Sequence, residues 1–129
     1  MSHFTVVVFL HDASQLEKAL APFSEHLEVP ASKEEIQAGK HIKDTYNPNS
    51  QWDFWTIGGN WTGEMDKDKQ RDIMKASDVG IDFIPRSFIA PDGEWHGTWG
   101  KTEDEWKQQF REACRQYASL SATLVDCHI

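Results

Sequence analysis

The first hydrophobic run, HFTVVVFL at His3–Leu10, is β-branched and aromatic throughout and predicts a strand. Period two puts Phe4, Val6, Val8 and Leu10 on one face and His3, Thr5, Val7 and Phe9 on the other. The first set is wholly apolar and belongs to a core. The second starts polar, so its early part is expected to border a cleft. Helical spacing follows in Leu16, Ala19, Leu20 and Phe23, opened by the capping-box pattern Ser14–Glu17. Pro22 disfavours the α conformation at Ala21 and predicts a short or kinked helix there. Residues 28–51 carry the weakest pattern. Ser32 and Glu35 make a second capping-box pattern, which predicts a polar surface helix over Lys33–Lys43, and Asn47-Pro48-Asn49-Ser50 reads as a turn cluster.

Alternation resumes at Trp52–Ile57, a second strand ended by Gly58-Gly59. The charged stretch Asp66–Asp78, with Ile73, Met74 and Ala76, predicts a surface helix. Arg86–Ala90 predicts a third strand, and Pro91-Asp92-Gly93 is a turn signal that returns Glu94-Trp95-His96 as a hairpin arm. Thr102 and Glu105 cap the clearest helix of the chain, in which Trp106, Phe110, Cys114 and Tyr117 form one apolar stripe. A last strand runs from Thr123 to Ile129. A helix after the first strand and another before the last, with strands between, predicts one α+β domain over residues 1–129. Its expected form is an antiparallel sheet with helices packed on one face, ferredoxin-like or related, with the 28–51 stretch as an insert.

Composition narrows the function classes. The 129 residues are enough to bury a core without disulfide or metal staples. A net charge of −8 and a pI near 5.1 argue against duplex nucleic acid as a partner, because phosphate contacts need a cationic surface. No apolar run has membrane-spanning or signal-peptide length, so neither a membrane nor export is expected. Cys114 and Cys127 lack CxxC or zinc spacing and fit a reducing compartment, which sets the expectation of a cytoplasmic protein without metal or other cofactor. Cys127 shares strand parity with Val125 and Ile129 and is expected in the core. The unusual feature is six Trp beside seven Phe.

Two aromatic–glycine clusters are the candidate ligand sites. In the first, Gly58 and Gly59 permit a sharp turn and close approach of backbone to a ligand, Asn60 and Thr62 add hydrogen-bonding groups, and Trp55 and Trp61 offer flat faces. The other reading of this stretch puts Trp52, Phe54 and Trp55 in the core and leaves the glycines a hairpin turn. The second cluster, Gly93–Gly100, carries Trp95, His96 and Trp99 and is spaced like a loop that closes over something, with Arg86 as a candidate anion partner nearby. His96 reads equally as a surface histidine and Arg86 as a solvated edge charge. If the terminal strands pair antiparallel, His3 falls beside His128 with Asp126 on the same face. That trio reads either as a structural or ligand-orienting cluster or, for an enzyme, as metal ligands or acid and base. No nucleophile elbow, HExxH, paired HxT or Walker lysine occurs.

The opening Met1-Ser2-His3-Phe4-Thr5-Val6, the central Asn47-Pro48-Asn49, Trp52-Asp53, Ile57-Gly58-Gly59, Trp61 and Gly63, and the closing Val125–Ile129 resemble a family of small, uncharacterised phage and bacterial proteins. That family usually has Arg where this chain has Asn60, and a longer loop than 93–100. A small acidic protein with aromatic faces and no catalytic signature is also similar in kind to phage proteins that sequester nucleotide immune signals. The leading expectation is therefore a phage-type protein of the host cytoplasm that sequesters a cyclic or ADP-ribose-type nucleotide-like signal and evades host defence. Trp55, Trp61, Trp95 and Trp99 would stack, and Gly58, Gly59, Asn60 and Thr62 would make the polar contacts. Exposed Trp also favours interfaces, so a homo-oligomer sharing the pocket belongs to the expectation. Two alternatives stand beside it. One is a hydrolase cleaving a nucleotide phosphodiester or glycosidic bond through His3, Asp126 and His128; the other is an acidic inhibitor that binds a host protein.

Overall fold

The computed structural model describes residues 2–30, 33–39 and 42–129. Strand β1 (His3–Leu10) leads through a 3₁₀ turn into a short helix, α1 (Leu16–Leu20). Then come β2 (His26–Pro30), α2 (Lys33–Gln37) and β3 (Ile42–Tyr46), with β2 and β3 paired as a separate two-stranded sheet. Strands β4 (Phe54–Ile57) and β5 (Ile73–Lys75) flank a long loop, and β6 (Ser87–Ile89) and β7 (Trp95–Gly97) make a hairpin. Helix α3 (Glu103–Gln116) precedes the last strand, β8 (Ser121–His128).

The centre of the main sheet is the β1–β8 pair, antiparallel over the full length of both strands, from His3 opposite His128 to Leu10 opposite Ser121. The order is β4-β8-β1-β6-β7, with β5 also on β8. Strands β4 and β5 occupy the same edge of β8, β4 against Val125–His128 and β5 against Ser121–Thr123. Between them the hydrogen bonding continues: Gly58 N donates to Leu124 O at 2.9 Å, and Leu124 N donates to Asp72 O at 2.8 Å. The α+β class and the mostly antiparallel sheet match the expectation. A ferredoxin-like sheet would place an antiparallel strand between β1 and the strand parallel to it; here β1 pairs directly, and in parallel, with β6.

The helices differ from the expected arrangement, because they cover opposite faces. Val7 and Phe9 point to the face of α3, where Trp106, Phe110, Ala113 and Cys114 pack with Leu124, Met65 and Met74. Phe4, Val6, Val8 and Leu10 point to the other face, against Leu16 and Leu20 of α1 and beside Phe23, Trp52, Trp55 and Trp95. The cause lies in β1 itself: Val6, Val7, Val8 and Phe9 are all fully buried, so neither face of the strand tolerates water. Burying a side chain such as Phe9 contributes about 1.5–3 kcal/mol, and a two-faced strand needs a cover on each side to realise it.

Local chemistry explains the ends of these elements. Thr102 Oγ1 accepts from Glu105 N at 3.2 Å and donates to the Glu105 carboxylate, the expected cap of α3. The β6–β7 turn closes through Gly93 N to Ala90 O at 2.8 Å, with Gly93 at φ +90°. Helix α1 stops at Leu20 and a 3₁₀ turn takes over through Pro22, as its ring requires. Its entry differs from expectation: Asp12 caps the preceding 3₁₀ turn, accepting from Ser14 N at 2.9 Å, and Gln15 at the start of α1 makes no side-chain cap. The expected helix over Asp66–Asp78 is absent. Ile73 exposed, Met74 buried, Lys75 exposed and Ala76 buried is a period of two, which pairs with β8 as β5. In the insert, α2 ends at Gln37, short of the expected Lys43, and Ile42–Tyr46 is strand. The Ser32–Glu35 capping box lies outside the described residues.

Candidate functional site

The register of β1 on β8 brings three polar side chains to the polar end of the α3 face. His3 sits opposite His128 with ring centroids 5.1 Å apart, and His3 Nδ1 lies 2.9 Å from Asp126 Oδ1. Asp126 is only 3% exposed. Its second oxygen accepts from Asn60 N at 2.9 Å. Burial by itself would raise the Asp126 carboxyl, but the Asn60 amide, the His3 bond and the charges of His3 and His128 hold it below the usual carboxylate range. An ionised carboxylate only accepts, so His3 Nδ1–H is the donor in this bond. The His128 ring stands between His3 and Phe54, 5.3 Å from the latter, and its buried Nδ1 has no partner among the described residues. No three His, Cys, Asp or Glu side chains among the described residues converge as a metal-ligand set.

Gly58 and Gly59 shape this cluster from the side. Gly59 has φ +52°, and a Cβ there would stand 2.6 Å from Asp126 Cβ and collide with its carboxylate. Gly58, at φ +68°, is equally closed by Asp72 and Thr62. Thr62 Oγ1 donates to Gly59 O at 3.1 Å and tightens the same turn. The close backbone approach expected of these glycines is thus made to a carboxylate of the protein itself.

A cleft of ≈ 750 Å³ opens beside His3, within the range of small-molecule sites. Its first wall is the head of β1 with the start of β6: His3, Phe4, Thr5 and Arg86. Arg86 N donates to Thr5 Oγ1 at 2.8 Å, and the Arg86 guanidinium lies 5.7 Å from the centre of the Phe4 ring. The second wall is built by Trp61 and the loops 64–68 and 80–84, with Asp78 beside them. Gly80 N donates to Met65 O at 2.8 Å and locks the two loops together. Trp61 is half-buried on the α3 core, and its buried Nε1 has no partner among the described residues. The border of this cleft is the polar start of the His3–Phe9 face, as the alternation predicted.

Of the ten residues expected to hold a ligand, Trp61 and Arg86 line this cleft, and Gly58, Gly59, Asn60 and Thr62 form the turn behind it. Trp55 and Trp95 do not join them. Both pack on the α1 face, Trp95 with its ring centre 5.0 Å from Phe23 and 6.4 Å from Phe4. His96 stacks on Phe88 at 4.7 Å, with Gln109 Nε2 3.4 Å from its Nδ1. Trp99 is 95% exposed. The stacking residues expected together are therefore split: Trp61 lines the cleft, Trp55 and Trp95 pack on the α1 face, and Trp99 stands in solvent. Cys127 is core, as its parity requires, and burial pushes its thiol up to about 12.

The cleft also contains residues that the pattern did not single out: Glu64, Asp66, Asp68, Asp78 and Asp82 among its charges and Phe83 in its apolar floor. Glu64, Asp66, Asp68 and Asp78 belong to stretches that read as solvated helix, and Asp82 to one without a pattern. The apolar pair Phe83-Ile84, between Gly80 and Pro85, is the signal that something packs there. No family model, curated protein or solved structure matches this chain. Among the described residues no helix is long and apolar enough to cross a membrane.

Proposed function

We propose that this protein is a binding protein for a small nucleotide-like molecule, held in the cleft at the head of β1 and kept intact. The observation that carries the reading is the cleft itself, with His3 pre-oriented by a nearly buried carboxylate and with Arg86 and Trp61 among its lining residues. A planar base needs a stacking face and a few fixed polar groups, and these are such groups. The terminal and central motifs favour a phage-type setting, in which withdrawing a nucleotide signal from the host would blunt a defence response. A second reading is favoured by one bond. Asp126 holds His3 Nδ1–H, and in a neutral ring Nε2 would then accept a proton; no nucleophilic side chain hydrogen-bonds to the ring among the described residues, which suits hydrolysis by water.

One experiment separates them. The purified protein is mixed with cyclic and ADP-ribose-type nucleotides, freed of unbound ligand, heat-denatured, and the released material is identified by mass spectrometry. Intact nucleotide in proportion to protein supports sequestration. A cleaved product, lost in His3→Ala, transfers the site to hydrolysis. Passage of the whole panel without retention removes the small-nucleotide reading.

A further inference from the structure

Strands β4 and β5 end the main sheet, since β8 is the one strand that either of them pairs with among the described residues. At their junction Gly58 N donates to Leu124 O, and Asp72 O accepts from Leu124 N. Antiparallel ladders alternate inward and outward bonding. Trp55, Ile57, Ile73 and Lys75 therefore direct their amides and carbonyls away from β8. These four residues also share a face. Trp55 and its neighbour in register Cys127 lie on the α1 core, while Met74, between Ile73 and Lys75, packs on the α3 core. Ile57 is 43% exposed and Ile73 46%.

Sheet edges are commonly blunted by charges, proline or bulges. Strand β4, Phe54-Trp55-Thr56-Ile57, carries neither charge nor proline. The chain between Ile57 and Ile73 packs on the α3 core through Trp61 and Met65, on the face opposite to the four outward residues. We propose that this edge pairs antiparallel with the same edge of a second copy, around a twofold axis normal to the sheet. Ser24 bridges to Trp52 and closes the edge at that end. The register that uses all four outward residues of both copies sets Ile57 opposite Ile73 of the second copy, and Trp55 opposite its Lys75. The two isoleucine pairs cover each other, and the ammonium lies over the Trp55 ring. Diagonal to that Lys75 is Asp53, exposed at the start of β4, so the cation of one edge meets the anion flanking the other. Asp72, near the axis, folds back over Gly58 and accepts from Gly63 N at 3.0 Å.

The test is sedimentation velocity of the full chain over a dilution series, with thermal melting to check that each variant folds. Wild type is expected to shift with concentration from the 14.8 kDa chain to a dimer of it. Ile57→Lys weakens association by about a hundredfold, because the twofold axis repeats a loss of about tenfold. Asp53→Lys and Lys75→Glu each weaken it by about tenfold, and together restore it to within about threefold of wild type. That reciprocal rescue is one that mere damage to the fold would not produce, and it decides alone should Ile57→Lys fail to fold. A wild type that stays monomeric throughout overturns the proposal, and a strand of another protein becomes the occupant to seek. A dimer indifferent to Ile57→Lys is held by another face and overturns it too. So do exchanged charges that leave association as weak as either single variant.

Discussion

In the segment 58–63 the backbone is wrapped around carboxylates, whereas in the segment 93–100 the positive-φ glycines, Gly93 and Gly100, stand over open space. Both are rich in glycine and tryptophan, and both place glycines at positive φ. At Gly58 and Gly59 an added Cβ would run into Asp72, Thr62 and Asp126; at Gly93 and Gly100 it would meet nothing within 4 Å. Trp61 is packed on the α3 core, and Trp99 is almost wholly exposed. The difference lies in what the turn encloses. One holds a buried anion and so has no freedom left; the other only reverses a hairpin.

Four substitutions turn that contrast into numbers. Gly59→Ala adds strain at positive φ to a clash with Asp126, and is expected to destabilise by about 3 kcal/mol in urea unfolding. Loss of less than a third of that would show that the turn can move away from Asp126. Asp126→Asn follows, at about 2 kcal/mol, since it weakens charge-assisted bonds to His3 and to the Asn60 amide.

The same variant carries a pH signature. The folded Asp126 carboxyl lies below its unfolded value near 3.9, so its contribution is present above that value and is lost as pH falls through the folded one. Wild type should therefore lose stability more steeply than Asp126→Asn on acidification below about pH 4, read by thermal melts across pH. Parallel acid limbs for the two proteins would mean that Asp126 is not the group responsible.

The loop segment should respond far less. Gly93→Ala meets open space and is expected to cost about 1 kcal/mol, from the positive φ alone. Trp99→Ala is expected to stay within about 0.5 kcal/mol of wild type, as an exposed side chain outside either core. A larger loss of stability at Trp99 would place that ring in an interface between copies of the chain.

Elements written by local chemistry were legible in the amino-acid pattern. The alternation of β1, the Thr102 cap and stripe of α3, and the Pro91-Asp92-Gly93 turn each depend on neighbours a few residues away, and each is found where expected. The meeting of His3, Asp126 and His128 was legible for a different reason: antiparallel pairing of two full-length terminal strands leaves one register that puts their ends together. Helix placement was legible only in part, because Val7 and Phe9 already announced a second buried face that a polar start at His3 and Thr5 masked. Strand β5 was hidden in a charged stretch, where two buried residues, Met74 and Ala76, were too few to outweigh their neighbours. The cleft wall was hidden most deeply. Nothing local tells a carboxylate on loop 64–68 that it will line the same cleft as Arg86.

Strands β4 and β5 lie end to end along one edge of β8, and their last and first residues, Ile57 and Ile73, pair with Val125 and Thr123. In effect they are a single edge strand that the chain leaves after Ile57 and rejoins at Ile73, about 7 Å further along at the ordinary rise per residue. The excursion between them has the form of a compact loop with adjoining ends, and it carries Trp61 together with the acidic residues 64–68. Chain can be lengthened, shortened or rewritten inside such a detour without shifting the register of any strand. A good part of the cleft's lining thus hangs on an excursion whose ends are fixed by β8 and which the Gly58-Gly59 turn and the buried Met65 pin to the rest of the fold.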